Sequence, residues 1–393
     1  MRKLVCCGVL TLAVIGSIFA TPAKAQYSAF YAATKAELAA GPPGSVIRTQ
    51  QIYGSPWGST AYRMLYRSTG LQGQPIAVSG VVVIPQTPAP TGGYPVIAWA
   101  HPTTGVADKC APSLSIVNDV FDTIPGLDAM VKNGFAVAAT DYPGLGTAGD
   151  HPYLVGISEA RAVLDSVRAI KQLTGASSRF AVWGHSQGGH AALWTGELAS
   201  QYAPDLEVVG VAAVAPASLL GLLFEDDLGT DAGKGLTALT LWAWAQIYDL
   251  PLASVVEPED ITSVAAIGAE CLAGFVDLVT DVSALAHINQ GKFLTRDPVT
   301  TPPWSTIITE NTPGKLPAGA PVFIAQGTAD TVVDPAVTTK FATQLCAQRV
   351  PVTFHRVTDA THTMIAKVSG AAAVDWMAKR FSGQPAPTNC TGN

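Results

Sequence analysis

Residues 184–188 read Gly184-His185-Ser186-Gln187-Gly188, with Gly189 next in line. A serine hydroxyl is a weak nucleophile until a neighbouring base takes its proton, and that base needs a third group to orient it. The pentapeptide fits G-x-S-x-G, in which a sharp strand-to-helix turn holds the serine in strained backbone and crowds out large neighbours. An apolar run precedes it at Arg179–Trp183, and "GGHAALW" follows, so this turn is favoured over an ordinary glycine-rich connection. Ser186 is the candidate nucleophile for acyl transfer. The amide of Gln187, at the start of the following helix, is a candidate oxyanion donor.

In the chain order serine, acid, histidine, the two partners belong on loops after later strands. "QGTADTVVDP" offers Asp330 and Asp334, and "TDATHTM" offers His362, with His355 earlier. Asp330 is preferred because it lies in a tight turn directly beyond a strand, whereas Asp334 precedes Pro335 and suits a helix N-cap. His362 is expected in a loop able to reach the serine. His355 falls inside a strand and is expected to pack, Asp359 to shape the loop, and His185 and His190 to be structural. A second oxyanion donor is expected from the loop "HPTTGVADKC", where Thr103, Thr104 and Gly105 remain alternatives. His101 is expected to support that loop. In "TDYPGLG", Asp141 is expected to brace the turn and Tyr142 is a candidate pocket residue.

Chemistry of this kind needs a scaffold. Strand-like runs bounded by turn formers occur at Ala77–Ile84, Pro95–Ala100, Phe135–Thr140, Arg179–Trp183, Val208–Val214, Pro321–Ala325 and Val352–Val357. Helical patterns lie between them. Ser158–Leu173 repeats Val163, Val167 and Ile170, with Ser158 as its expected N-cap, a second runs from Gln187 to about Ser200, and the last is Gly370–Phe381. Strands alternating with helices predict a mainly parallel sheet covered on both faces. From Ala217 to Lys315 no strand pattern appears, yet the segment is strongly apolar and too long for a loop, so a helical cap is expected there. That divides the chain into a core in two parts, 26–216 and 316–393, around a cap at 217–315. An antiparallel strand is expected near Ala61–Ser68, and the tail "SGQPAPTNCTGN" is expected to be extended and held by Cys390.

The chain has 393 residues, of which 48% are hydrophobic and 13% charged, and a mean hydropathy of +0.28. Its first 25 residues carry Arg2 and Lys3, an apolar stretch from Leu4 to Ala20, and Ala23-Lys24-Ala25, the pattern of a secretory signal peptide cleaved near Ala25. Removing them takes three basic residues and no acid, which shifts the net charge from −6 to −9. An acidic balance argues against nucleic acid as a partner. Four cysteines would remain, Cys110, Cys271, Cys346 and Cys390, and an even number in an exported chain predicts two disulfides in one of three pairings. No two of the four have zinc-ligand spacing.

Together "GHSQGG", "HPTTGVADKCAPS", "DYPGLG", "QGTADTVVDP" and "DATHT" resemble the α/β-hydrolase superfamily. In their joint order, with a large insert before the acid, they are similar to the secreted lipase family that includes Candida antarctica lipase A. The resemblance covers nearly all of the mature chain. It implies Ser186, Asp330 and His362 as a triad, a mostly helical lid over Ala217–Lys315, and the pairings Cys110–Cys271 and Cys346–Cys390. The first bridge would tie the oxyanion loop to the lid and limit its swing. A loop-entropy estimate gives about 4–5 kcal/mol per bridge. The expectation is a secreted serine carboxylic-ester hydrolase, foremost a triacylglycerol lipase, working as a monomer without metal or organic cofactor. Trp242, Trp244 and Phe224 are candidates for an acyl-chain groove and for contact with a lipid–water interface. A short-acyl, aryl or polyester esterase would share the machinery. A peptidase lacks any signal for binding a substrate N-terminus, and an inactive binding module sits poorly with an intact serine, acid and histidine.

Overall fold

The computed structural model describes residues 29–114, 119–272, 288 and 292–390. The expected signal segment and the end of "VAAIGAECLAGFVDLV" lie outside the described residues.

The strands, in chain order, are β1 (Val46–Ile52), β2 (Ser59–Thr69), β3 (Pro75–Pro85), β4 (Val96–Ala100), β5 (Ala136–Thr140), β6 (Arg179–His185), β7 (Glu207–Val214), β8 (Val322–Gly327) and β9 (Val352–Val357). The described helices are α1 (Lys35–Ala39), α2 (Asp119–Asp122), α3 (Leu127–Lys132), α4 (Gly156–Thr174), α5 (Gln187–Tyr202), α6 (Leu220–Asp227), α7 (Asp231–Tyr248), α8 (Ile261–Ala269), α9 (Trp304–Asn311), α10 (Pro335–Ala347) and α11 (His362–Phe381). One sheet runs in the order β1-β2-β3-β5-β4-β6-β7-β8-β9. Its first four members pair antiparallel, and from β5 to β9 every pairing is parallel. The doubly covered, mainly parallel sheet expected from the alternating pattern is present.

The two faces of this sheet explain the strand sequences. In β4, Ile97 and Trp99 join one core while Val96, Ala98 and Ala100 join the other. All five are buried, so the strand has no polar face and is uninterruptedly apolar. The parallel strands therefore direct their carboxyl ends to one edge, where the loops of interest leave the sheet.

Several sequence expectations need correcting. Strand β1 was not foreseen, because "VIRTQQI" is a half-exposed edge strand with little apolar content. Helix α4 begins at Gly156 after Val155, and Ser158 is buried in its first turn. Val155 is the N-cap residue and no side chain caps the helix, while Glu159 Oε1 accepts from the amide of Leu154 in the preceding loop at 3.2 Å. Helix α11 starts at His362, eight residues before the expected Gly370. Gly370 had disguised it as a loop, although its lack of a side chain serves packing against Pro125 and Gly126. The tail is held by more than Cys390. Asn389 donates its amide to the Val352 carbonyl at 3.1 Å, accepts from the Phe354 amide at 2.7 Å and returns a bond to the Phe354 carbonyl. No helix among the described residues is long and apolar enough to cross a membrane.

Candidate active site

Ser186 stands between β6 and α5 with φ 58° and ψ −116°, a conformation that L-residues adopt only when the surroundings impose it. The surroundings do impose it. A Cβ on Gly184 would lie 2.0 Å from the Gly188 carbonyl, and one on Gly188 would lie 1.9 Å from the Ala100 carbonyl of β4. The elbow is thus pressed against the end of the neighbouring strand, and both positions require glycine. Backbone bonds fix it further. The Ser186 amide donates to Val214, and its carbonyl accepts from His190 and Ala217.

Asp330 and His362 come together from different elements. Asp330 follows β8, and its Oδ1 accepts from the amides of Val332 and Val333, both at 2.9 Å. Its Oδ2 accepts from Gln326 Nε2 at 2.9 Å and from His362 Nδ1 at 2.8 Å. Burial pushes the Asp330 carboxyl up, but the bond and charge of His362 and the two amides outweigh it and hold the group below the usual carboxylate range. An ionised Asp330 takes the Nδ1 proton as acceptor, which leaves Nε2 of His362 with the lone pair of a base. The His362 ring lies 4.8 Å from that of His185, the residue before Ser186, so the histidine is seated beside the elbow. His185 is pushed down to about 3 by burial, with the His362 charge adding to it. It is a neutral packing partner rather than a rival base.

The rival residues take other places. Asp334 caps α10 by accepting from the Ala336 amide at 2.7 Å. Asp359 occupies a positive-φ turn and donates its amide to Thr328. His355 stacks on Phe323 at 6.0 Å within the sheet. His190 is fully buried and reaches Glu159 at 2.6 Å.

Around the serine lies a cleft lined by Tyr153, Ser186, Gln187, Ala217, and residues of α6, α7 and the Asp330 loop. Of the expected oxyanion donors, Gln187 lines this cleft and Thr104 and Gly105 do not. The Thr104 carbonyl accepts from the Leu272 amide, and Gly105 pairs with Cys271 in a single antiparallel bridge. The loop meets the cleft wall through Thr103, whose hydroxyl bonds that of Tyr153 at 2.9 Å. His101 supports the loop, its ring spanning the carbonyls of Pro102 and Asp141. Asp141 accepts from Ser79 and from the amide of Ser113, and so braces the turn. Tyr142 does not line the cleft beside Ser186. It is fully buried and donates to the His101 carbonyl at 3.2 Å.

The aromatic expectation also needs correcting. Phe224 lines the cleft, but Trp244 is fully buried with its Nε1 donating to the Tyr153 carbonyl at 2.8 Å. Trp242 packs over Gly268. Bulky apolar rings in "LWAWAQ" reflect packing of α7 on α8 and on the core.

Sequence reasoning missed a buried network beneath the elbow. Glu159 Oε1 accepts from Gln187 Nε2 at 2.9 Å, and Gln187 in turn touches His151 at 3.1 Å. The Asn311 carbonyl, at the end of α9, meets His190 Nε2 at 2.8 Å and accepts from Trp194 Nε1 at 3.0 Å. The helix that carries the candidate oxyanion donor is thereby clamped to the helical segment. A signal was present. Glu159 heads the stripe Val163, Val167 and Ile170, where an unpaired acid would be costly.

The bridges are Cys110–Cys271 and Cys346–Cys390, closing 161 and 44 residues. The first joins the loop after β4 to the segment after α8. By loop entropy they are worth about 5 and about 4 kcal/mol, strain aside. Replacing Cys110 and Cys271 together by serine is expected to lower Tm by several degrees in a thermal melt. An unchanged Tm would show that this tether contributes nothing.

A nine-stranded, mainly parallel sheet that carries a strained serine at a strand–helix elbow, near an Asp-bound histidine, defines the chain as a serine hydrolase of the α/β-hydrolase fold, acting on carboxylic esters. The family model for secretory lipases matches residues 119–389, and the chain belongs to that family. A protein of Mycobacterium tuberculosis named a probable inactive lipase is 28% identical over 87% of this chain and 79% of its own length. The trichothecene C-3 esterase of Fusarium sporotrichioides is 27% identical, covering 87% and 80%. In fold, the chain is similar to the crystal structure of Candida antarctica lipase A, with a TM-score of 0.75 at 20% identity over 92% of this chain and 87% of that one. Membership of this family and the two disulfides agree with a secreted protein.

Proposed function

We propose that the chain is a lipase that cleaves triacylglycerols through an acyl-enzyme on Ser186, with Asp330 and His362 completing the triad. The observation that carries this reading is the elbow serine opening into a cleft walled by Leu220, Leu223, Phe224 and Leu236, an apolar bed for an acyl chain. His362 Nε2 takes the Ser186 proton as Oγ bonds the ester carbonyl carbon, and Asp330 steadies the imidazolium. The negative oxygen of the tetrahedral intermediate is met by the Gln187 amide and by a second amide from the loop after β4, which reaches the cleft wall at Thr103. As the intermediate collapses, the bond to the alcohol oxygen breaks and that oxygen leaves with the proton from His362. Water, deprotonated by the same ring, then attacks the acyl-enzyme and releases the acid and Ser186.

In this reading residues 1–25 are removed on export, 217–315 form a cap over the core, and the protein meets its substrate as a monomer at a lipid–water interface. A second reading is a short-acyl esterase, favoured by the carboxyl of Asp227 in the same cleft wall. A chain-length series on the purified protein separates the two. Hydrolysis of long-chain triglyceride emulsion at a rate comparable to soluble butyrate esters is expected, and confinement to acetate and butyrate would favour the second reading. Labelling of Ser186 by a fluorophosphonate is expected in either case, and its absence would place the chain with an inactive relative.

A further inference from the structure

Helix α6 lines the cleft with Leu220, Leu223, Phe224 and Asp227, the i, i+3, i+4 and i+7 places of one face. Leu236 and Thr240 of α7 and Val332 and Val333 of the Asp330 loop line the same space. The fourth place of an otherwise apolar stripe therefore carries a carboxyl, in the same wall system as Ser186. Among the described residues, the Asp227 carboxyl has no hydrogen-bond or ion-pair partner. It lies at the carboxyl end of its helix, where the backbone dipole opposes negative charge. Burial first, and the neighbouring Asp226 second, push this carboxyl far above the usual range. The shift favours the protonated carboxyl, which can both donate and accept a hydrogen bond on the cleft wall.

A neutral acid of this kind does not need a cation to satisfy it. It matches a group that also donates and accepts, which is a hydroxyl. A plain alkyl or acyl chain would leave it unsatisfied in an apolar wall, so such a chain is penalised at this point of the cleft. We propose that Asp227 is a specificity-determining residue that hydrogen-bonds a free hydroxyl of the substrate near the scissile ester, so that hydroxyl-bearing esters are preferred to plain ones. This inference rests on Ser186 being the nucleophile that faces the cleft.

The test compares kcat/KM for propyl butyrate, 3-hydroxypropyl butyrate and propyl 3-hydroxybutyrate, which differ only in one hydroxyl on the alcohol or on the acyl side. The wild-type chain is expected to prefer one hydroxylated ester over propyl butyrate by about tenfold, and which one reports the side Asp227 faces. Asp227→Leu is expected to bring that ratio near one, partly by speeding propyl butyrate. Asp227→Asn, which still donates and accepts, is expected to keep part of the preference. Equal wild-type rates on all three esters, or a preference that survives Asp227→Leu, would overturn the inference. Should the leucine variant fail to fold, the wild-type ratio and the asparagine variant decide alone. Fluorophosphonate labelling of Ser186 keeps the two levels apart. A labelled enzyme without preference overturns only the role of Asp227, whereas absent labelling and absent hydrolysis overturn the hydrolase reading and this inference with it.

Discussion

Replacing Ser186 with alanine is expected to lower kcat/KM on a soluble ester by about 10⁵-fold or more while the fold persists. The size of the loss follows from what the hydroxyl does. Without it no acyl-enzyme forms, and what remains is the polarisation of the ester by the cleft's amides, worth about 10³–10⁴ over water. The persistence of the fold follows from how the elbow is held. Its turn rests on the backbone bonds of Ser186 to Val214, His190 and Ala217, and the side chain caps nothing in α5. Alanine keeps the strain of φ 58°, and glycine removes it. Ser186→Gly should therefore be as inactive as the alanine variant yet melt higher, by about 1 kcal/mol in stability. Initial rates, fluorophosphonate labelling and a thermal melt on the three proteins check both halves. Residual activity above one part in a hundred in Ser186→Ala would move the nucleophile elsewhere.

How much of this was legible in the sequence depends on which physical signal each residue carries. The eight strands that were foreseen lie within two residues of their expected bounds, because buried strands, the parallel ones above all, are written as nearly unbroken apolar runs between turn formers. The strained elbow at Ser186 and the pairing of Asp330 with His362, proposed above as the triad, were legible through local chemistry, since elbow glycines, a post-strand turn and a histidine beyond the next strand each leave a short-range trace. The failures share a different cause. His362 begins a helix rather than sitting in a loop, because Gly370 answers to Pro125 and Gly126 across the fold and not to helix propensity. Trp244 looked like lipid-facing surface because composition records bulk but not which side of a helix it covers. Glu159 and Asp227 were overlooked although each interrupts an apolar stripe. An acid at such a place is either paired by a distant residue, as Glu159 is by His190 and Gln187, or left for something the chain alone does not hold. Periodicity reveals the interruption. Only the fold says which of the two it is.

Asp330→Asn is expected to lower kcat by about 10⁴-fold, against less than twofold for Asp334→Asn. The argument turns on which way the new amide faces. Oδ1 of Asp330 accepts from two backbone amides, Val332 and Val333, that cannot reverse. Oδ2 accepts from His362 and from Gln326. Gln326 Nε2 also donates to the Gly327 and Val333 carbonyls, so it keeps its orientation and gives up one bond to residue 330, against the two backbone amides that the opposite placement would leave unpaired. The asparagine oxygen therefore takes the Oδ1 side and its NH₂ faces His362. Nδ1 must then accept rather than donate, the ring proton moves to Nε2, and the nitrogen beside Ser186 can no longer take a proton. The site would be intact in shape and wrong in tautomer. Asp334 makes no such demand, since asparagine caps a helix about as well as aspartate does and the Ala336 amide keeps its acceptor. Steady-state rates on one ester, with nitrogen-15 shifts of the His362 ring to report the tautomer, test the pair together. A large loss in Asp334→Asn with a mild one in Asp330→Asn would reassign the acid. A large loss in Asp330→Asn with an unchanged tautomer would instead mean that the charge of the carboxylate, and not its orientation of the ring, supplies the rate.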